Sequence, residues 1–253
     1  MNTNNNLYTI IYATILVVVV AVILAFASSL LKERQQRNIE IERKEMILRS
    51  VQLGTDQAAR ANDKDSYIEA EYAKYIKDSS INEQGKDLTL YICTVENGEK
   101  FYVIPLRGVG LWGPVWGYIS LKGDFNTVYG ATFDHKSETP GLGAEISTAA
   151  FYKQFENKTV FDNAGNFVSI QVVKGGADLS NGHEVDAISG GTITSKAVED
   201  MLFKNIKEYT TFFAAKLKEA EERAAEARAA EAALQVQLSD STAVAPALQV
   251  NIK

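Results

Sequence analysis

The stretch Asp186-Ala187-Ile188-Ser189-Gly190-Gly191-Thr192-Ile193-Thr194-Ser195 places three hydroxyl residues directly after a Gly-Gly pair, and a helix-like segment, Lys196 to Tyr209, follows at once. That order suits phosphate. Backbone N–H groups left unpaired at a helix N-terminus, together with the positive end of the helix dipole, favour an anion there. Gly190 and Gly191 let the backbone approach it without a side chain in the way. A second reading is an N-capped helix start with Thr194 or Ser195 as the cap. The local pattern leaves both open.

A second run, Glu138-Thr139-Pro140-Gly141-Leu142-Gly143, lies just after His135 and before a helix-like segment. Pro140 fixes the turn and the glycines expose backbone donors; alone, it reads as a Pro-Gly turn. Gly108-Val109-Gly110-Leu111-Trp112-Gly113 formally matches the dinucleotide fingerprint GxGxxG, but that motif needs a helix after its third glycine. Pro114 and a strand-like run follow here, so the segment reads as a glycine-rich turn with an aromatic insert. The chain has only two histidines, His135 and His183, far apart in sequence, and one cysteine, Cys93. That excludes an internal disulfide and a cysteine-clustered metal site. No Gly-x-Ser-x-Gly or P-loop occurs, so no catalytic group and no metal ligand set is assigned to the chain.

These motifs need positioning elements. Leu88 to Val95 and Lys100 to Leu106 flank Asn97-Gly98, a strong hairpin signal. Val115 to Leu121 and Asn126 to Phe133 are joined through Lys122-Gly123-Asp124 in the same way. Cys93 falls on the first of these strands and is expected to be buried. Helices are expected over Asp65 to Ile76, Ala144 to Phe155 and from Ser195 onward, with a further strand at Phe167 to Lys174. Successive hairpins with flanking helices give an α+β class: a twisted antiparallel sheet with packed helices, preceded by one N-terminal transmembrane helix.

That helix is read from Leu7 to Leu31, a run without a charged residue. At about 1.5 Å rise per residue it covers the roughly 30 Å hydrocarbon core. A cleaved signal peptide is the competing reading, because Ala25-Phe26-Ala27 resembles a cleavage site; but no Lys or Arg precedes the run, which exceeds the roughly 7–15 residues of a signal core. Residues 1–6 form a short leading segment. Residues 32–60 read as a charged juxtamembrane helix (Lys32 to Gln57), 61–215 as the folded domain, and 216–253 as a helical extension, supported by Glu219 and Arg223, with a loose tail from Ser239. The net charge of −6 leaves no basic footprint for nucleic acid.

The motifs bear a family likeness. Asp186, Ser189, Gly190 and Thr192 are similar to the signature Asp-x-x-Ser/Thr-Gly-Ala-Thr of the FMN-binding domains of sodium-pumping and ion-pumping respiratory complexes, with Gly191 in place of the Ala. The run from Glu138 to Gly143 resembles the family's segment beside the flavin. Gly110-Leu111-Trp112-Gly113-Pro114 with Gly117-Tyr118 favours the C-type subunit of the Na+-translocating NADH:quinone reductase over its relative, the G-type subunit of the ion-translocating ferredoxin:NAD oxidoreductase complex. The resemblance implies FMN held by a phosphoester to Thr192 and a phosphate held by Ser189, Gly190, Gly191, Thr194 and Ser195. It also implies a flavin ring near Glu138, Thr139, Leu142 and Gly143, with Trp112 a further candidate. Electrons would pass from NADH through this flavin towards quinone while sodium crosses the membrane. The implied partners are the other subunits of the complex, a flavin-attaching transferase and membrane lipid. The implied location is the bacterial inner membrane, single-pass, with the FMN domain on the periplasmic side. Lys32, Arg34, Arg37, Arg43, Lys44 and Arg49 all follow the span and none precedes it, so the positive-inside rule opposes that orientation, although long domains translocate despite flanking charge. A membrane-tethered module without a redox role is the alternative from a different class.

Overall fold

A computed structural model describes residues 6–83, 85–178 and 180–243. The apolar N-terminal run and the charged segment after it form one unbroken helix, α1 (Asn6–Ser50), about 68 Å long at 1.5 Å per residue. It is long and apolar enough to cross a membrane, and no residue of its apolar part is buried. Its C-terminal part is not a free spacer: Ile41, Met46, Ile47 and Leu48 are buried in the domain.

The helix ends at Ser50 rather than running on to Gln57. The Leu53 N–H returns to Leu48 O at 2.9 Å and the Gln52 N–H to Arg49 O at 3.0 Å, with Gln52 left-handed at φ 57°. This is a Schellman stop with glutamine where glycine is usual. The Gln52 side chain donates to Tyr129 O at 2.8 Å, so a contact 77 residues away helps to fix the turn. A short helix, α2 (Thr55–Ala58), leads to α3 (Lys64–Tyr75), which Asp63 caps through the Ser66 N–H at 3.2 Å.

Five strands follow as an antiparallel meander in sequence order: β1 (Ile76–Glu83), β2 (Lys86–Thr94), β3 (Lys100–Val109), β4 (Pro114–Leu121) and β5 (Val128–His135). Both expected hairpins are present, and Cys93 is fully buried. Strand β1 went unread because its polar run alternates only weakly; it pairs along all eight of its residues with β2. Alternate residues serve opposite faces. Tyr91, Cys93, Phe101 and Val103 pack against α1 and α3. Leu90, Ile104, Leu106, Ile119 and Phe133 face the other layer.

That other layer is less regular. The helix expected over Ala144 to Phe155 is broken into a 3-10 turn (Gly143–Ser147), α4 (Ala149–Tyr152) and a second 3-10 turn (Lys153–Phe155). Thr148 is extended and its hydroxyl donates to Glu145 O at 2.8 Å, while Phe151 and Phe155 both set their rings edge-on to Phe133. Burying those rings outweighs a continuous helix. The strand expected at Phe167 to Lys174 shrinks to β6 (Gln171–Val173), which pairs in parallel with β7 (Glu184–Asp186). Ser169, left-handed at φ 62°, interrupts it. Helix α5 (Thr192–Lys207) lies across β3, and α6 (Thr210–Ala243) takes in the expected extension, with Arg223 and Glu219 3.9 Å apart. The expected tail from Ser239 continues α6 as far as Ala243, and its remainder lies outside the described residues.

Candidate functional site

Helix α5 starts at Thr192, with Gly191 in the N-cap position and no side chain capping it. That removes the reading in which Thr194 or Ser195 is the cap: both lie inside the first turn. The turn before it is closed internally. The Gly191 N–H donates to Ile188 O at 3.0 Å, the Ile188 N–H donates to Ser195 Oγ at 3.0 Å, and Gly190 sits at φ 74°, a conformation that glycine adopts without steric cost. Asp186, at the end of β7, accepts the Ala177 N–H at 2.5 Å and donates its own N–H to Gln154 at 2.8 Å, which fixes the approach to the turn.

The Glu138 run and the turn from Gly110 to Gly113 meet this helix start. Glu138 is 4% exposed. Its Oε1 accepts the Trp112 N–H at 2.8 Å and its Oε2 accepts the Thr194 hydroxyl at 2.6 Å. Ser137 donates to Trp112 O at 2.9 Å, and the Glu138 N–H donates to His135 Nδ1 at 3.2 Å. Thr139 O accepts the N–H groups of Leu142 and Ala144, shaping the loop that carries Leu142 over Gly190. The glycine-rich turn runs into β4, as expected for a segment that is not a dinucleotide fingerprint.

Exposure divides the site residues into two groups. Ser189, Gly190, Thr192, Thr139, Leu142 and Trp112 reach solvent; Glu138, Gly143, Gly191, Thr194 and Ser195 do not. The hydroxyls of Thr194 and Ser195 are engaged inside the protein, so the geometry gives them the work of holding the turn rather than of facing a phosphate. Glu138 likewise faces inward. Val109 and Ile193 share a cleft with Thr192 and Leu142 lies against Gly190; these three, with Leu111 and Trp112 of the turn tied to Glu138, are large apolar side chains left exposed. A shallow cleft of about 400 Å³ is lined by Thr192, Val109, Ile193, Lys196, Ala197 and Asp200. Lys196 stands one helical turn beyond Thr192 on the same face. Its hydrogen bonds to Glu199 and Asp200 raise its pKa, keeping a cation beside the turn. Val109, Ile193 and Lys196 were not read as site residues; an apolar residue standing between hydroxyls at a helix start was the available signal for Ile193.

These residues fit a phosphoester-linked flavin. The helix start has no side-chain cap and a cation nearby, Thr192 is exposed, and the apolar side chains of Val109 and Ile193 beside it can receive an aromatic ring.

Residues 110–207 match the FMN-binding domain family, a span that contains the Gly110 turn, the Glu138 loop and all of α5. The crystal structure of the C-type subunit of the Na(+)-translocating NADH-quinone reductase from Parabacteroides distasonis is 38% identical, covers 72% of this chain and 96% of its own, and superposes with a TM-score of 0.63. The chain belongs to the family of C-type subunits of the Na(+)-translocating NADH-quinone reductases. The Pseudomonas aeruginosa member of that family is 35% identical over 127 residues, 49% of this chain and 48% of that one. The chain thus spans about half the length of that relative. Shewanella oneidensis NqrC, at 23% identity and a TM-score of 0.62, shares the fold over 73% of this chain. The antiparallel meander flanked by helices is therefore the fold of this family, and both signature loops of the present member converge on the start of α5.

Proposed function

We propose that this chain carries FMN as a phosphoester on Thr192 Oγ1 and serves as a redox station between NADH and quinone in a Na+-translocating reductase. The observation that carries the reading is the position of Thr192: an exposed residue at the start of a helix with no side-chain cap, in a turn that hydrogen bonds from Ile188 to Ser195 and from Thr194 to Glu138 hold from behind. When bound, the flavin supplies reversible uptake and release of electrons. The chain's own residues bind and orient it. Backbone N–H groups at the start of α5, with Ser189 and Gly190, face the phosphate, Gly191 closes the turn behind them through its N–H to Ile188 O, and Lys196 adds a positive charge. Leu142, Trp112 and Ile193 offer apolar contact to the ring, with Thr139 and Gly143 shaping the loop beneath. The covalent link keeps the cofactor in place through repeated turnover.

In this reading residues 7–31 of α1 anchor the chain in the bacterial inner membrane, the domain lies on the periplasmic side, and the partners are the other subunits, the flavin-attaching transferase and lipid. The exposure of the apolar part of α1 supports the anchor. Peptide masses after expression with the transferase test the attachment. A denaturation-resistant, FMN-sized increment on the Thr192 peptide, absent in Thr192→Ala, is expected. An increment on Thr194 or Ser195 moves the site, and none on a folded, exported protein overturns the reading. For orientation, Lys136→Cys in spheroplasts is expected to react with a membrane-impermeant maleimide; labelling only after lysis places the domain in the cytoplasm.

A further inference from the structure

Glu138 is a carboxylate almost wholly removed from water, and such a group needs partners for both oxygens. It has them on two separate segments: the Trp112 N–H of the turn between β3 and β4, and the Thr194 hydroxyl in the first turn of α5. The space around it is closed. A Cβ at Gly110 would lie 2.5 Å from Oε1, and one at Gly143 would lie 2.5 Å from Oε2. The carboxylate therefore ties together three stretches distant in sequence, and the exposed Thr192 hydroxyl sits two residues before one of its ends.

We propose that Glu138 is the positioning residue for modification of Thr192: the closed clamp presents the acceptor hydroxyl to the attaching enzyme, and an open clamp slows the transfer. The inference rests on the reading of Thr192 as the FMN acceptor. In the transfer, Thr192 Oγ1 forms a bond to the flavin-side phosphorus of a flavin phosphoanhydride. The anhydride P–O bond breaks, the departing nucleoside monophosphate takes the electron pair, and the hydroxyl proton passes to a base. No redox change occurs. Glu138 touches none of these atoms. It fixes the first turn of α5, and with it the direction of the hydroxyl, where a displacement of about 1 Å can cost on the order of 100-fold in rate.

The test uses the full-length unmodified protein in detergent, the transferase, and flavin adenine dinucleotide as donor, with attachment followed by mass. Glu138→Ala and Thr194→Val are expected to slow attachment on the order of 10–100-fold. Glu138→Gln and Thr194→Ser are expected to restore it. The glutamine oxygen can accept the Trp112 N–H while its NH₂ donates to the threonine oxygen, and serine keeps the donor. The Trp112 amide is expected to exchange slowly with deuterium in the unmodified wild type and fast in Glu138→Ala. Attachment to folded Thr194→Val at the wild-type rate overturns the proposal, and so does an unprotected Trp112 amide in the wild type. If Glu138→Ala does not fold, Thr194→Val decides. Absence of any flavin on wild-type Thr192 instead defeats the FMN reading, and the exchange of the Trp112 amide still judges the clamp.

Discussion

Replacing Gly130 by alanine should loosen the C-terminal end of α1 from the sheet. Gly130 lies in β5 opposite Ser120 of β4, and a Cβ there would stand 2.5 Å from Ser50 O, the last residue of α1. That oxygen is backbone, so it cannot swing aside, and it also accepts the Ser120 hydroxyl at 2.5 Å in a buried setting. Overpacking of this kind costs about 1–3 kcal/mol and the hydrogen bond about 1 more, giving roughly 2–4 kcal/mol in all. For a domain of this size each kcal/mol lowers the melting temperature by about 2–4 °C, so the expected fall is roughly 4–16 °C. Gly123→Ala is the control: nothing lies within 4 Å of its Cβ position, and its melting temperature should not move. Ser120→Ala should account for about 1 kcal/mol, and the double variant should fall short of the sum, since both changes act on the same contact. Thermal unfolding in detergent, followed by near-ultraviolet circular dichroism, reads all four. A Gly130→Ala protein that melts with the wild type would refute the seating of α1 on the sheet.

Two further outcomes follow from the same geometry. Gly190→Ala forces a side chain into the left-handed region at φ 74°, at a cost of about 1–2 kcal/mol, and at Gly191, where φ is −103°, an added Cβ would stand 2.9 Å from Ile188 Cγ2; the melting temperature should fall for both variants, and an unchanged value for Gly190→Ala would be inconsistent with this turn. Glu42 of α1 has its pKa raised above 4.5, first by burial, then by the charge and hydrogen bond of Asp134 and by Glu45, with Arg49 opposing. A raised carboxyl contributes stability that is fully present below its unfolded value and is lost as the pH rises through the folded value. Glu42→Gln should therefore melt higher than the wild type at pH 8, with the difference closing towards pH 4; equal melting at both pH values would count against the Glu42–Asp134 contact.

Much of the fold was legible because local signals agreed with the tertiary outcome. Asn97-Gly98 and Lys122-Gly123-Asp124 mark real hairpins, with the Asp124 carboxylate accepting the N–H groups of Asn126 and Thr127. The failures lie where distant contacts decide. The end of α1 depends on Gln52 reaching Tyr129, and the break in the segment from Ala144 to Phe155 depends on Phe133, contributed by another strand. No window of sequence around either site contains its partner.

The site shows the same division at finer grain. The residue pattern placed the Gly-Gly pair and its hydroxyls at the approach to a helix, and the family resemblance singled out Thr192, Glu138 and Trp112, but neither could say which polar groups face outward. Four hydroxyls within seven residues look equivalent on paper. In the fold, Ser195 accepts the Ile188 N–H and Thr194 donates to Glu138, both buried, while Ser189 and Thr192 remain exposed. The hydroxyls that close the turn are spent inside, and that is why Thr192 can stand free at the first position of α5. A phosphate site built on a helix start needs both kinds of group: inner ones that hold the backbone N–H donors in one direction, and an outer one that the incoming phosphorus can reach. The buried carboxylate of Glu138 then has a role that a ring contact would not require, since it links the inner hydroxyl to the neighbouring turn and makes the placement of Thr192 a property of three segments at once.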